Sequence, residues 1–460
     1  MLINYIIIAW RSILKNSIYS IINITGLAFG LAIAIVVWLW CFDEVNYNKS
    51  FKHHDRIVQL YHHITFGAEV ITLNDVPAPI AKILQSEHTE FDQVSITSAQ
   101  SEILFSYHDN AFSKTALHVE PQFLEMFSVD VLQGHTQLQS NTHEVAIAQS
   151  VADAVFAGEA IGKTFKLNNQ REVTVGAVYR DFPKNSFLAD VKLLLPMSQM
   201  FTSASDGKKL EDSWEAFSFH CYAIINDNVD INEINGKIKH VLFDHISSDG
   251  KSLKPEGFLF PMEAWHLSAD FKNGVNTGGQ KKVVFIFAAI GVAILLLACV
   301  NFVNLSTARS QIRSKEVGVR KVMGSLRFQL ILQFLSESFL VVVFSYAIAL
   351  MLVVLMLPLV NAIAEKELSM QWGNPSFFVT SLIFIVVTSF LAGVYPAIYL
   401  SSFSAVRVLK GNGKGPDATW LRKTMIVLQF ATAITLMIGT AIFFEQIQHV
   451  KNRPVGFDRD

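Results

Sequence analysis

Residues 283–305 read "VVFIFAAIGVAILLLACVNFVNL", twenty-three positions without a charged side chain. At about 1.5 Å per residue, a helix of that length crosses the ~30 Å hydrocarbon core of a bilayer. Comparable apolar runs occur at Ile18 to Phe42, roughly Phe339 to Val360, Phe377 to Leu400 and Thr424 to Phe444. Of the 460 residues, 51% are hydrophobic and 17% charged, and the mean hydropathy is +0.36. That balance is too apolar for an ordinary soluble enzyme. The sequence therefore predicts a membrane protein: a transmembrane α-helical bundle of about five spans. Lipid bilayer is its first implied partner.

The first run follows Arg11 and Lys15, as a secretory signal would. A signal core is only about 7–15 residues long, however. The end of the run, "VVWLWCF" (36–42), offers no small-residue cleavage site, and bulky Trp40 precedes Cys41 where lipoprotein processing needs a small residue. We read an uncleaved anchor.

Basic residues set the orientation, because short loops rich in Lys and Arg stay on the cytoplasmic side. Beyond residue 305, the stretch Ser306 to Leu330 holds Arg309, Arg313, Lys315, Arg320, Lys321 and Arg327 against Glu316 alone. Ser402 to Lys423 adds Arg407, Lys410, Lys414, Arg422 and Lys423 against Asp417, and the N-terminus has Arg11 and Lys15. All three are expected in the cytoplasm. The long segment between the first two spans then lies outside, with 31 acids, 20 bases and 13 of the 14 His. Trp10, Trp38 and Trp40 suit interfacial anchoring of the first span.

That outer segment reads as a large α+β domain. Apolar alternation in "RIVQLYHHITF" (56–66), "SEILFSY" (101–107) and "REVTVGAVY" (171–179) predicts strands. A 3.6-residue apolar period in "PAPIAKILQSEH" (77–88) and "INEINGKIKHVLFDHI" (231–246) predicts helices.

Within it, "AGEAIGKT" (157–164) imitates a nucleotide-binding loop. Such a loop needs a buried strand before it and a helix starting at the Gly-Lys-Thr, whose amides point at the phosphates. The order here is reversed: "SVADAVFAG" (150–158) reads as a short helix capped by Gly158. Residues 165–177 read as a hairpin, with Phe165 and Leu167, an Asn168-Asn169-Gln170 turn, and Val173, Val175 and Ala177. Lys163 becomes a solvated charge at a strand edge, on the side of the membrane where ATP is scarce.

The pairs His53-His54 and His62-His63 suggest a metal, but adjacent strand side chains point to opposite faces, so each pair supplies at most one ligand to a common site. We read them as polar surface histidines. His118 and Glu120 share a strand face without further ligands. Cys41, Cys221 and Cys299 read as free, small apolar residues. There is no G-x-S-x-G, H-E-x-x-H or paired-Cys spacing. No catalytic residue, metal or cofactor is assigned, and no nucleic-acid partner.

In the basic stretch, Arg309, Arg313, Arg320 and Arg327 are spaced 4, 7 and 7, one stripe of a helix, beside an apolar stripe of Ile312, Val319, Val322, Met323 and Leu326. Such a helix would lie along the inner membrane surface. Glu316 and Arg320 are i,i+4 partners, while Gly318 and Gly324 permit bends or close approach. Physics alone leaves open whether this helix only anchors a loop or docks a partner. Glu337, nine positions after Phe328, is expected near the inner interface, hydrogen-bonded to a neighbouring helix.

"STARSQIRSKEVGVRKVMGSLRFQLILQFLSESFL" (306–340) resembles the FtsX-like/MacB-type ABC transporter permeases, in which a short cytoplasmic helix runs into E-[IV]-G-[IV]-R-[KR]-x-x-G. Here those positions are Glu316, Val317, Gly318, Val319, Arg320, Lys321 and Gly324. "LAGVYPAIYLSSFSAVRVLKG" (391–411) is similar to the ending of the family's last span. "AWRSILKNSIYSIINITGLAFGLA" (9–32) is similar to its first anchor, and "FAGEAIGKTFKLNNQREVTVGAVYRDFPKNS" (156–186) to its extracytoplasmic core domain.

The resemblance implies a permease subunit without ATPase activity, not an enzyme, in the bacterial inner membrane. A separate cytoplasmic ABC ATPase would drive it, docked on Arg309, Arg313, Glu316, Gly318, Arg320, Lys321, Gly324 and Arg327, in a dimeric or pseudo-dimeric assembly. The expected divisions are 1–42 (N-terminus and first span), 43–280 (core domain), 281–410 (permease domain with three spans) and 411–460. The family has four spans per unit, so the fifth run is expected to open the second half of a tandem permease of the Bacteroidetes type. A membrane sensor is the rival reading, and it requires a large cytoplasmic output domain that the short loops do not supply. A self-contained ATPase built on residues 157–164 is the third.

Overall fold

The computed structural model describes residues 2–15, 17–108, 110–136, 143–203, 207–227, 229–308, 310–403 and 419–451. The chain divides into two units: Met1–Cys41 with Ile286–Asp460, and Phe42–Phe285.

Among the described residues, five helices are long and apolar enough to cross a membrane: Ser17–Val45, Lys281–Ala308, Arg327–Ala364, Pro375–Ser401 and Lys423–His449. Helix is the form that satisfies every backbone group internally when no water is at hand. The third helix begins at Arg327, well before the apolar run at Phe339, because Gln329 Oε1 accepts the Leu326 N–H and helps cap its first turn. A separate helix, Leu2–Lys15, precedes the first span and sets Trp10 against Phe344.

The first two spans approach closely through small residues. A Cβ built on Gly30 would come within 2.4 Å of Ala298 Cβ, and one on Gly26 within 3.4 Å of Asn301 Nδ2. This is the G-x-x-x-G device, which lets helix backbones meet where lipid removes the hydrophobic drive. Gly393 meets Ser338 in the same way between the third and fourth spans.

Among the described residues of the second unit, twelve strands form one sheet: β1 Ile57–Phe66, β2 Glu69–Leu73, β3 Phe91–Ser98, β4 Ser101–Tyr107, β5 Asn110–Val119, β6 Val131–Gly134, β7 Glu144–Ala148, β8 Thr164–Leu167, β9 Arg171–Tyr179, β10 Val191–Pro196, β11 Phe219–Ile225 and β12 Glu256–Pro261. The order is β10-β7-β9-β8-β4-β5-β3-β11-β1-β12, and a parallel β10–β5 pairing closes the first six into a ring. The ring is filled by Phe105, Phe165, Val173, Val175 and Leu193. The remaining strands carry a second core, where Val58, Leu60 and Cys221 pack against Ile80 and Leu84 of helix Ile80–Glu87 and Ile234 and Ile238 of helix Ile231–Ile238. The α+β reading stands, with the helix expected over 231–246 broken into Ile231–Ile238 and Val241–His245.

Two local expectations need correction. The residue that leaves helix Gln149–Phe156 in the left-handed region is Ala157 (φ 52), with Gly158 (φ 86) next in the chain and its N–H reaching Ala152 O at 3.1 Å. Gly158 is therefore the second residue of the cap. His62 is not at the surface: it is 1% exposed, on the face of β1 that carries Val58 and Leu60. Burial, with a smaller push from His63, lowers its pKa from 6.5 to about 4.

Candidate functional site

The helix of the basic segment runs Ser310–Val322, and Gly324 ends it with φ 98, a conformation that favours Gly. The next helix starts at Arg327. Arg327 thus stands beyond a turn, and the single arginine stripe expected from the spacing is interrupted there. Arg313 lies on the short helix, and Arg309 lies outside the described residues. So do 404–418 and 452–460, with Arg407, Lys410, Lys414 and Asp417.

Arg320 holds two partners. Its Nη2 donates to Glu316 Oε1 at 2.6 Å, the i,i+4 pair expected, and its Nη1 donates to Gln333 Oε1 at 2.5 Å on the third span helix. Lys321 Nζ donates to the carbonyls of Ser401 and Phe403 at 2.7 and 2.8 Å. These carbonyls belong to the C-terminal end of helix Pro375–Ser401, where unpaired oxygens and the helix dipole favour a cation. Burial, then the neighbouring Arg327, lowers the Lys321 pKa. Arg327 Nε reaches Ser401 Oγ at 3.5 Å.

The apolar stripe faces outward. Val319, Val322, Met323 and Leu326 are exposed, Met323 at 75%, while the Ile312 side chain lies outside the described residues. The packed face is instead Ser314, Val317, Gly318 and Lys321. Val317 is buried with Leu330, Phe334, Ala397, Leu400 and Phe403. Periodicity missed this face because only one of its four members is strongly apolar. The usable signal was the 3, 1 and 3 spacing of Ser314, Val317, Gly318 and Lys321, with small Ser314 and Gly318 on either side of Val317. Glu337 accepts a hydrogen bond from Ser12 Oγ at 2.9 Å, a link to a neighbouring helix as expected.

At residues 157–164 the structure has a turn leading into β8, not the start of a helix. Lys163 is exposed, its N–H returns to Ala160 O at 3.0 Å and its carbonyl accepts from Val175 N at 2.9 Å. Asn168 and Asn169, with φ 50 and 56, make the hairpin turn. The backbone amides here are used within the domain rather than aimed at a common point, which a phosphate cradle requires.

His63 Nδ1 lies 2.9 Å from Thr72 Oγ1, on the face of β1 opposite His62. His118 is lowered to about 4 by burial and Arg171, and the neighbouring carboxyl of Glu120, raised mainly by burial, accepts from Ile96 N at 2.8 Å. Among the described residues, no three His, Cys, Asp or Glu side chains gather as a metal site. Cys41, Cys221 and Cys299 form no disulfide with one another.

Five bilayer-length helices and an α+β unit inserted between the first two define a multi-pass membrane protein with a large extracytoplasmic segment. Residues 20–241 match the MacB-like periplasmic core domain, and 288–405 the FtsX-like permease C-terminal domain. The chain belongs to the FtsX-like/MacB-type ABC transporter permease family, whose members are transporter components. It is 23% identical over 320 residues to the macrolide export ATP-binding/permease protein MacB of Bdellovibrio bacteriovorus, covering 66% of this chain and 45% of that one. It is 22% identical over 265 residues to MacB of Aggregatibacter actinomycetemcomitans, covering 56% and 37%. The chain thus spans less than half the length of these curated relatives. A domain of a permease protein from Porphyromonas gingivalis superposes with a TM-score of 0.39 at 21% identity, over 46% of this chain and 92% of that one.

Proposed function

We propose that the chain is the non-ATPase permease subunit of an ABC transporter, which converts ATP hydrolysis by a separate cytoplasmic ATPase into conformational change of its extracytoplasmic domain. In this reading the N-terminus and the segments 306–330 and 402–423 face the cytoplasm of a bacterial cell, and 43–280 lie outside the inner membrane. Residues 281–410 form the permease domain, 411–460 open a second half, and the working assembly is dimeric or pseudo-dimeric. The cycle drives export or mechanotransmission.

One observation carries the proposal. Lys321 ties the short helix Ser310–Val322 to the end of the fourth span, and Arg320 ties it to the third, so a force applied to this helix is passed to both. Glu316, which also bonds Arg320, and Val319, Val322 and Met323 are exposed to a partner. A helix that merely anchored a loop in lipid would have no use for two polar attachments at its base.

Co-purification of the full chain with ATPases encoded beside it tests this. Arg320→Glu places a like charge beside Glu316 and removes the donor to Gln333, so association and stimulated ATPase activity should both fall by about 10-fold or more. Retention of both in the variant overturns the docking assignment.

A further inference from the structure

Where the first four spans converge, a cavity of about 20 Å³ is lined by Ser20, Asn23, Ser306, Glu337, Ser338 and Pro396 among others. Six polar or helix-breaking residues thus meet around one small space within the bundle. Asn23 is 2% exposed, and among the described residues neither its Nδ2 nor its Oδ1 has a hydrogen-bond partner. Turning the amide over exchanges donor for acceptor and leaves both still unpaired. Each unmade bond costs about 1–3 kcal/mol, with no compensation from lipid. Glu337 also lines the chamber and accepts from Ser12 Oγ, and a carboxylate offers about four acceptor sites in all. Pro396, within helix Pro375–Ser401, has no N–H to give the carbonyl one turn before it.

The chemistry of Asn23 selects the ligand. It must accept a hydrogen bond from the amide nitrogen and donate one to the amide oxygen. A bare cation can satisfy only the oxygen and is repelled by the NH₂, and an anion can satisfy only the nitrogen and meets Glu337. Water does both, and the cavity exceeds the roughly 10–15 Å³ that one water requires. We propose that this chamber is a hydration site within the membrane bundle, in which water bridges Asn23 and Glu337.

The placement gives the site a role. Phe334 and Leu400 line the chamber and also pack against Val317 of the short basic helix. A shift of that helix therefore reaches the chamber wall directly, and water lets the wall change shape without forming a dry void. This role in coupling rests on the proposed transport function, whereas the hydration itself does not.

The test uses D₂O, a probe the size of the ligand. In the full chain in lipid, with its three native cysteines replaced by alanine, Ser20→Cys and Ser338→Cys report on the chamber. Ala28→Cys and Ala349→Cys report on fully buried sites outside it. Exchange of S–H for S–D, read by infrared spectroscopy, should be at least about 10-fold faster at the chamber sites. In the unsubstituted chain, the side-chain amide signal lost in Asn23→Leu should receive magnetisation from water in solid-state NMR. Chamber thiols that exchange no faster than the controls overturn the proposal. Should a cysteine variant fail to fold, an Asn23 amide that shows no transfer from water overturns it in the native sequence. The readouts do not depend on ATPase docking, so each proposal can fail alone.

Discussion

At Phe105 in the ring of strands and at Gly30 in the first span, burial is reached by opposite means. Phe105 is 0% exposed, its ring 4.2 Å from that of Phe165, within a cluster of large apolar side chains. Gly30 contributes no side chain at all, and what matters is that Ala298 can approach its backbone. Water drives the first kind of packing, since removing a large apolar surface from it is favourable. In the bilayer lipid is as apolar as Leu, so close backbone contact and polar pairs take over. The pairs Tyr346 to Ser381 (2.8 Å) and Ser12 to Glu337 (2.9 Å) belong to that second regime.

The largest expected effect comes from the aromatic core. Phe105→Ala removes a ring from a closed, fully buried site and should destabilise the extracytoplasmic domain by about 3–5 kcal/mol. The measurement is the domain's melting transition in the full chain. A loss near zero would mean that the ring of strands is not packed as described. Next comes the small-residue contact. Gly30→Ala sets a methyl where Ala298 Cβ already stands 2.4 Å away. Overpacking of this kind costs about 1–3 kcal/mol, read as a lower thermal midpoint in detergent. Adding Ala298→Gly should return most of it. A double variant no better than the single one would show that the two helices do not meet at this point.

These regimes also explain what the sequence disclosed. The spans were legible because long charge-free runs have no soluble alternative, and "SEILFSY" matched β4 Ser101–Tyr107 because buried Ile103 and Phe105 alternate with exposed Glu102 and Leu104. The ring was not legible, since the β10–β5 pairing joins strands more than seventy residues apart and leaves no local mark. Glu316 and Arg320 were legible as an i,i+4 pair, but the attachments to Gln333, Ser401 and Phe403 depend on how three helices meet. The exposed Val319, Val322 and Met323 suit a helix lying along a membrane surface, whereas the packed face around Val317 left no apolar stripe to read.

His62 gives the smallest effect and the sharpest test of the apolar core. Its neighbour His63 faces the other way and bonds Thr72, whereas His62 shares a face with Val58 and Leu60 and lies 5.4 Å, centroid to centroid, from Phe217. Burial holds its folded pKa at about 4, below the ordinary 6.5. The unfolded chain therefore binds this proton first as pH falls. His62 imposes little penalty above pH 6.5, and stability is lost progressively between 6.5 and 4. From pH 7 to pH 5 that share is about 1–2 kcal/mol, at 1.36 kcal/mol per pKa unit. His118, also lowered to about 4, supplies a parallel loss that remains when His62 is removed. His62→Leu should then flatten, without abolishing, the fall in melting temperature between pH 7 and pH 5. An unchanged slope in the variant would mean that His62 is solvated in the native domain, and that this face of β1 is as polar as its histidine pair first suggests.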